Sequence, residues 1–276
     1  MPDTREIADC PAEIRTLLTP GGVRMSYESW GEGPPLVLVH GAFSDHRTNW
    51  MYAKPFLARH FTAYAIARRG RGRTEATQGH AVSDEIADAL ALVRHIGEPV
   101  HLLGHSYGGL VALGVAASAP DLVRKLVVYE PPSPHLLSAE TLASLVRLGR
   151  AGDWESFAGR FFGEVLRVPE PDLAALQGTR DWRHILDDAP ASLQDLCALV
   201  RHLFDAKDFR DLPMPVLLQI GTESSPELYA TEALAAVIAD VRLGPLKGQA
   251  HEAMTTAPRE YAEAVTHFLK KESRNE

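Results

Sequence analysis

The residues Gly104-His105-Ser106-Tyr107-Gly108 set a serine hydroxyl between two glycines at the spacing of a turn that can lift a side chain out of the backbone. A serine hydroxyl is a weak nucleophile near neutral pH. The pattern therefore carries chemistry only if a histidine can take the proton and a carboxylate can orient that histidine. The five residues alone also suit an ordinary glycine-serine loop, so their context decides. Val100 to Leu103 reads as a short buried strand, and the Ala- and Leu-rich stretch after Tyr107, stopped by Pro120, reads as a helix. Between strand and helix, Gly104 and Gly108 leave room for a strained turn at Ser106. The N–H of Tyr107, at the helix start, is then available to an oxyanion.

Twelve histidines make a base easy to find, and chain order narrows them. In this arrangement the order is serine, acid, histidine, with the base in a loop after the last strand. His251, in Gly248-Gln249-Ala250-His251-Glu252, meets that condition; His267 falls inside the closing helix, and His135, His184 and His202 fall in the middle of the chain. Two loops could supply the acid. Glu130 follows the apolar strand Leu126 to Tyr129, and Glu223 follows Val216 to Ile220. A carboxylate at the end of an apolar strand is costly to bury unless paired, and a histidine N–H is a suitable partner. Glu130 is preferred on this ground, with Glu223 as the alternative acid and a helix cap or ion pair as the competing role for Glu130. A second oxyanion donor is expected from the N–H of Ala42, in His40-Gly41-Ala42-Phe43 after the strand Leu36 to Val39.

These groups need a sheet that brings several strand ends together. Leu36 to Val39, Phe61 to Ile66, Val100 to Leu103 and Leu126 to Tyr129 read as buried parallel strands. Helical stretches alternate with them, among them Val82, Ile86, Leu90 and Val93, so the fold class is α/β with helices on both faces of the sheet. Ile14 to Trp30, turning at Pro20-Gly21-Gly22, reads as an antiparallel hairpin at the sheet edge. From residue 133 to 212 the strand signal stops and helical spacings follow one another. Strands resume at Val216 to Ile220 and Val241 to Leu246, separated by a helix containing Leu234, Val237 and Ile238. A final helix carries the stripe Tyr261, Val265, Phe268 and Leu269 after Pro258. The expected division is a core of residues 1–132 and 213–276 with a helical cap, or lid, of residues 133–212. Phe43, Trp154, Phe161 and Trp182 are candidates to line a pocket between the two.

The composition bounds the rest. The chain has 276 residues, 45% hydrophobic and 23% charged, enough to bury a substantial core. Its net charge of −8 argues against nucleic acid as a partner. Cys10 and Cys197 show no metal-binding spacing. There is no HExxH motif, because Thr255 stands where a second histidine would be needed, and Gly70-Arg71-Gly72 lacks the third glycine of a dinucleotide fingerprint. No metal or cofactor is therefore expected. The four arginines from Arg68 to Arg73 read as part of a structural turn rather than a phosphate site. The acidic N-terminus, without an apolar run, gives no sign of export, and no stretch is long and apolar enough to span a membrane, so a cytoplasmic location is expected.

The chain resembles α/β-hydrolase-fold serine hydrolases through His40-Gly41-Ala42, Arg68-Arg69-Gly70-Arg71-Gly72-Arg73-Thr74, Gly104-His105-Ser106-Tyr107-Gly108-Gly109 and Gly248-Gln249-Ala250-His251-Glu252. The resemblance implies a mostly parallel eight-stranded sheet and a helical cap inserted after the sixth strand. It also implies an esterase-like reaction with Ser106 as nucleophile and His251 as base. Two positions depart from the family pattern. Ser224 stands where an acid often follows the seventh strand, which favours Glu130, and Ala67 stands where many relatives have Asp. The expected function is hydrolysis of an ester or lactone of a small apolar molecule, without a cofactor. Carbon–carbon or amide bond cleavage and cofactor-independent chemistry on a polyketide-like substrate are alternatives on the same residues. A ligand-binding receptor or pseudo-enzyme is the alternative outside enzymes.

Overall fold

A computed structural model describes residues 12–271. Cys10 and nearly all of the acidic N-terminal segment, which gave no sign of export, lie outside the described residues. Eight strands form one open sheet: β1 (Glu13–Leu18), β2 (Arg24–Trp30), β3 (Pro35–Val39), β4 (Thr62–Ile66), β5 (Val100–His105), β6 (Val123–Tyr129), β7 (Val216–Gly221) and β8 (Val241–Leu246). Their spatial order is β1-β2-β4-β3-β5-β6-β7-β8. The β1–β2 and β2–β4 pairs are antiparallel and every other pair is parallel. All five residues of β3 and all six of β5 are buried. That explains why neither strand alternates apolar with polar residues, although His101 and His105 interrupt β5.

The helices are α1 (Lys54–Leu57), α2 (Val82–Ile96), α3 (Tyr107–Ser118), α4 (Ala139–Arg150), α5 (Trp154–Arg160), α6 (Glu170–Gln177), α7 (Arg180–Arg201), α8 (Thr231–Ala235), α9 (Ala253–Thr256) and α10 (Pro258–Lys270). One face of the sheet packs Val37, Val39, Leu102 and Val128 against Leu92 and Val93 of α2 and Leu110 and Val111 of α3. The other packs Leu36, Leu38, Leu103 and Val127 against Leu57 of α1 and Tyr261, Val265 and Phe268 of α10. Between β6 and β7 the chain is helical and has its own apolar cluster, including Leu145, Phe157, Phe162, Trp182 and Leu196. Phe43, from the loop after β3, reaches into that cluster and stacks on Phe161 at 4.6 Å between ring centroids.

Two expectations shift in detail. The helix expected to contain Leu234, Val237 and Ile238 stops at Ala235. Val237 N–H donates to Leu234 O at 3.1 Å, a tightened last turn, while Ile238 remains buried beyond it. The β-branched pair lowers the helical preference there without removing the apolar contact. The Phe157, Phe161, Val165 spacing spans a break. After α5 the chain makes a π turn over Phe161–Val165, with Leu166 N–H donating to Phe161 O five residues back at 3.0 Å.

Candidate active site

The C-terminal ends of the adjacent strands β3, β5 and β6 carry His40-Gly41-Ala42, Ser106 and Glu130 respectively, the edge of an open α/β sheet where working groups collect. Ser106 has φ 53° and ψ −123°, a conformation costly for a residue with a Cβ, and its N–H donates to Tyr129 O at 2.8 Å. The flanking glycines permit this turn. A Cβ on Gly104 would collide with Gly108 O, and one on Gly108 would collide with Val39 O. Ser106 is half-buried, at the start of α3.

Glu130 is fully buried, with φ 47°. Its Oε1 accepts the N–H of Gly221 at 2.7 Å, and its Oε2 lies 2.6 Å from His251 Nδ1. The register explains the reach: Tyr129 pairs with Gln219 in β7, so the residue after β6 faces the end of β7, where the His251 loop arrives. An ionised carboxylate accepts only, so the proton sits on Nδ1 of His251 and the lone pair on Nε2. Burial works to lower the His251 pKa, but the hydrogen bond and charge of Glu130 outweigh it and raise it. The ring is stacked on Tyr229, with centroids 5.1 Å apart and planes 13° apart. Its backbone carbonyl lies 3.0 Å from His105 Nε2, which seats the loop beside the residue that precedes Ser106. Ser106 Oγ itself makes no hydrogen bond of 3.5 Å or less among the described residues, and hydrogen bonds of this kind are often long before substrate binds. Glu223 is exposed and its carboxylate accepts from Thr222, so it is not brought to His251.

The N–H groups of Ala42 and Tyr107 donate to no other group among the described residues. Around Ala42, the Gly41 N–H donates to Asn49 Oδ1 at 3.1 Å and the Phe43 N–H to Ser192 Oγ at 2.7 Å. His40 is fully buried. Its Nε2 accepts the Arg68 N–H at 3.2 Å, so its Nδ1 holds the proton and donates to Gly41 O at 2.8 Å. Burial, reinforced by the charges of Arg68 and Arg71, keeps its pKa well below the usual value and the ring neutral.

The arginine-glycine segment is structural, and more than a turn. Arg68 and Arg71 are buried, and both grip Asp195 of α7, which has no exposed surface. Arg68 also bridges to Glu85 at 3.0 Å. Although burial opposes ionisation of Asp195, the two guanidiniums hold its carboxyl well below the usual range. Among the described residues, two groups bring histidine and carboxylate ligand atoms close together: His105, His251 and Glu252, and His80, Glu85 and Asp195. In the second, the carboxylates already face two guanidinium cations. In the first, Nδ1 of His251 bonds Glu130, and the two nitrogens of His105 each lie 3.0 Å from a protein oxygen, Asn49 Oδ1 and the His251 carbonyl.

Of the pocket candidates, Phe43, Phe161 and Trp182 are buried together with Phe157 and Phe162. Trp182 Nε1–H donates to Glu155 at 2.7 Å, and Trp154 sets its ring edge-on to Phe157, so both tryptophans serve the packing of the helical segment. Open clefts of about 910 and 800 Å³ flank β8 and α10, and Ser106 lines neither. Sequence reasoning missed Asn49, Tyr229, Ser192 and Asp195. The last two lie 149 and 127 residues from the groups they bond, Phe43 and Arg68. Their one signal is a polar residue, twice, on the buried side of an amphipathic helix.

Residues 36–264 match the family model described as the alpha/beta hydrolase family. A 2-hydroxy-6-oxo-6-(2'-aminophenyl)hexa-2,4-dienoic acid hydrolase from Metapseudomonas resinovorans is 32% identical over 124 residues, which is 42% of either chain. A soluble epoxide hydrolase from Corynebacterium sp. strain C12 is 37% identical over 111 residues, 40% of this chain and 38% of that one. The chain thus matches well under half the length of these curated relatives. Among solved structures, an alpha/beta hydrolase from Sphaerobacter thermophilus DSM 20745 superposes with a TM-score of 0.81 at 28% identity, covering 93% of this chain and 100% of the other. Together with the eight-stranded sheet and its element order, the match over residues 36–264 establishes that the chain belongs to the alpha/beta hydrolase family.

Proposed function

We propose that the protein is a serine hydrolase that cleaves an ester or lactone of a small, uncharged and mainly apolar molecule through an acyl-enzyme at Ser106. The observation that carries this reading is the 2.6 Å contact between His251 Nδ1 and a fully buried Glu130, one strand away from a serine held at positive φ. Ser106 Oγ attacks the substrate carbonyl and its proton passes to His251 Nε2. The oxyanion that forms is held by the N–H groups of Ala42 and Tyr107. Collapse breaks the ester C–O bond, and the departing oxygen takes the proton from Nε2. Water then gives a proton to His251, attacks the acyl carbon and releases the acid, with the proton returning to Ser106. Glu130 stays ionised throughout and stabilises the imidazolium. The helical segment of residues 133–212 acts as a lid, with the Phe43, Phe157 and Phe161 cluster as the apolar wall shared by lid and core.

A second reading, hydrolysis of an oxo-dienoic acid, is prompted by the Metapseudomonas relative. Such a substrate carries a carboxylate that a cation should meet. Arg68, which touches the oxyanion loop, and Arg71 beside it are engaged by Asp195 and Glu85, which favours the uncharged ester. The test is a panel of esters, lactones and oxo-dienoic acids assayed with the wild type and Ser106→Ala. Ester or lactone turnover that disappears in Ser106→Ala supports the reading, and equal turnover in both proteins overturns it.

A further inference from the structure

The peptide units on either side of Ala42 are each gripped by side chains whose positions α7 determines. All described peptide bonds are trans, so the Gly41 carbonyl and the Ala42 N–H belong to one rigid plane and point in opposite directions. Fixing Gly41 O therefore aims the Ala42 N–H. Gly41 O accepts from Arg68 Nη2 at 2.9 Å and from His40 Nδ1 at 2.8 Å. The same Nη2 donates to Asp195 Oδ2 at 2.7 Å, and Arg68 Nε donates to His40 O at 3.0 Å. Asp195 thus holds the guanidinium against the loop. On the other side, the Phe43 N–H donates to Ser192 Oγ at 2.7 Å. Ser192 Oγ donates its own proton to Asp188 O at 2.9 Å and also accepts from Arg71 Nη2 at 3.1 Å, so the hydroxyl has no rotational freedom left.

We infer that Ser192 and Asp195 of α7 are positioning residues for the oxyanion donor Ala42 N–H, coupling the seating of α7 to the oxyanion site; this rests on the serine-hydrolase reading above. Had these residues only tied α7 to the core, their bonds could have ended on any core side chain. Besides their bonds to the Arg71 side chain, they reach the backbone of Phe43 and, through Arg68, that of Gly41. The guanidinium contributes a second effect. A charged donor on Gly41 O draws electron density toward that oxygen, which strengthens the N–H at the other end of the same peptide as a donor. The coupling acts on the transition state, because an oxyanion forms only there.

The test compares the wild type, Ser192→Ala, Asp195→Asn and Ser106→Ala, using p-nitrophenyl butyrate as substrate and phenylboronic acid as inhibitor. The boron takes up the serine oxygen and becomes a tetrahedral anion, which reports on the oxyanion donors. In Ser192→Ala and Asp195→Asn, kcat is expected to fall about tenfold or more, with KM within about threefold and boronate affinity weakened by a factor similar to that in kcat. The acid limb of the pH–rate profile stays in place, because His251 and Glu130 are untouched. A purely structural role would move only Tm. Removing one hydroxyl leaves the packing nearly unchanged, so Ser192→Ala decides the matter even if Asp195→Asn does not fold. A folded Ser192→Ala protein with wild-type kcat and wild-type boronate affinity overturns the inference and leaves the serine-hydrolase reading intact. A wild type that neither hydrolyses the ester nor binds the boronate, or activity that survives Ser106→Ala, overturns that reading and the inference with it.

Discussion

At Ser106 the backbone is held in a costly conformation. Its φ of 53° costs a residue with a Cβ more than it costs glycine, and the turn places the hydroxyl at the head of α3. Ser106→Gly is therefore expected to abolish turnover while raising stability by about 1 kcal/mol or more in urea denaturation, through relief of that strain. Glu130 and Glu223 were both open to sequence reasoning, and burial separates them. Glu130→Gln is expected to lower kcat/KM about 10³-fold or more, whereas Glu223→Gln, at an exposed carboxylate bonded to Thr222, stays within about twofold. The pH dependence follows from His251. Glu130 raises its pKa above the ordinary 6.5 against the effect of burial, so the acid limb of kcat/KM is centred above 6.5. In Glu130→Gln that limb moves down, as the carboxylate charge is lost and burial remains. Stability has the opposite sign to turnover. The charged pair's contribution is fully present below pH 6.5 and is lost as pH rises through the raised value. Ser106 and His251 could be singled out as candidates because spacing and chain order mark them. Asn49 and Tyr229 were not, because nothing local to their sequence marks a side chain that bonds the Gly41 N–H or stacks on His251.

At the scale of elements, the turn after β5 depends on two strands and a helix meeting without side chains between them. Gly108→Ala would drive a Cβ into Val39 O, a backbone atom that cannot move without displacing β3. The expected result is a loss of about 3 kcal/mol or more, read from urea midpoints, with turnover impaired even where the protein folds. Leu145→Ala, in the apolar cluster of the helical segment, is expected to cost about 2–5 kcal/mol. The strands were legible because burial on both faces makes β3 wholly apolar and leaves β5 with a Val-x-Leu-Leu run. The π turn at Phe161–Val165 was not, since its apolar spacing imitates a continuous helix. Ser192 and Asp195 of α7 escaped for a different reason. A serine and an aspartate on a helix normally read as solvated, and distant partners, the arginines of the Arg68–Arg73 turn and the Phe43 N–H, make their burial tolerable.

Across the whole molecule, the seam between the helical segment and the sheet is an ionic one, formed by Arg68, Arg71, Glu85 and Asp195, beside an aromatic one around Phe43. Removing one partner of a buried ion pair leaves the other unpaired, so Arg71→Ala is expected to lose about 3–5 kcal/mol in chemical denaturation. The arginine-glycine segment read as a structural turn, and Arg68, Arg69 and Arg71 bond buried carboxylates. What it is structural for became visible only with α7 in place, because the contact joins residues more than 120 positions apart. The alternation of strands and helices, the edge hairpin and the long helical stretch were all readable, since each follows from local periodicity. Long-range polar pairing leaves no such period.

The central claim is that Ser106 is a nucleophile activated by His251 and Glu130. It is tested most directly by treating the protein with a fluorophosphonate and mapping the adduct by peptide mass spectrometry. The account predicts a single adduct, on Ser106, absent in Ser106→Ala and formed at least tenfold more slowly in Glu130→Gln. An unlabelled wild-type protein, or an adduct on any other residue, would contradict it.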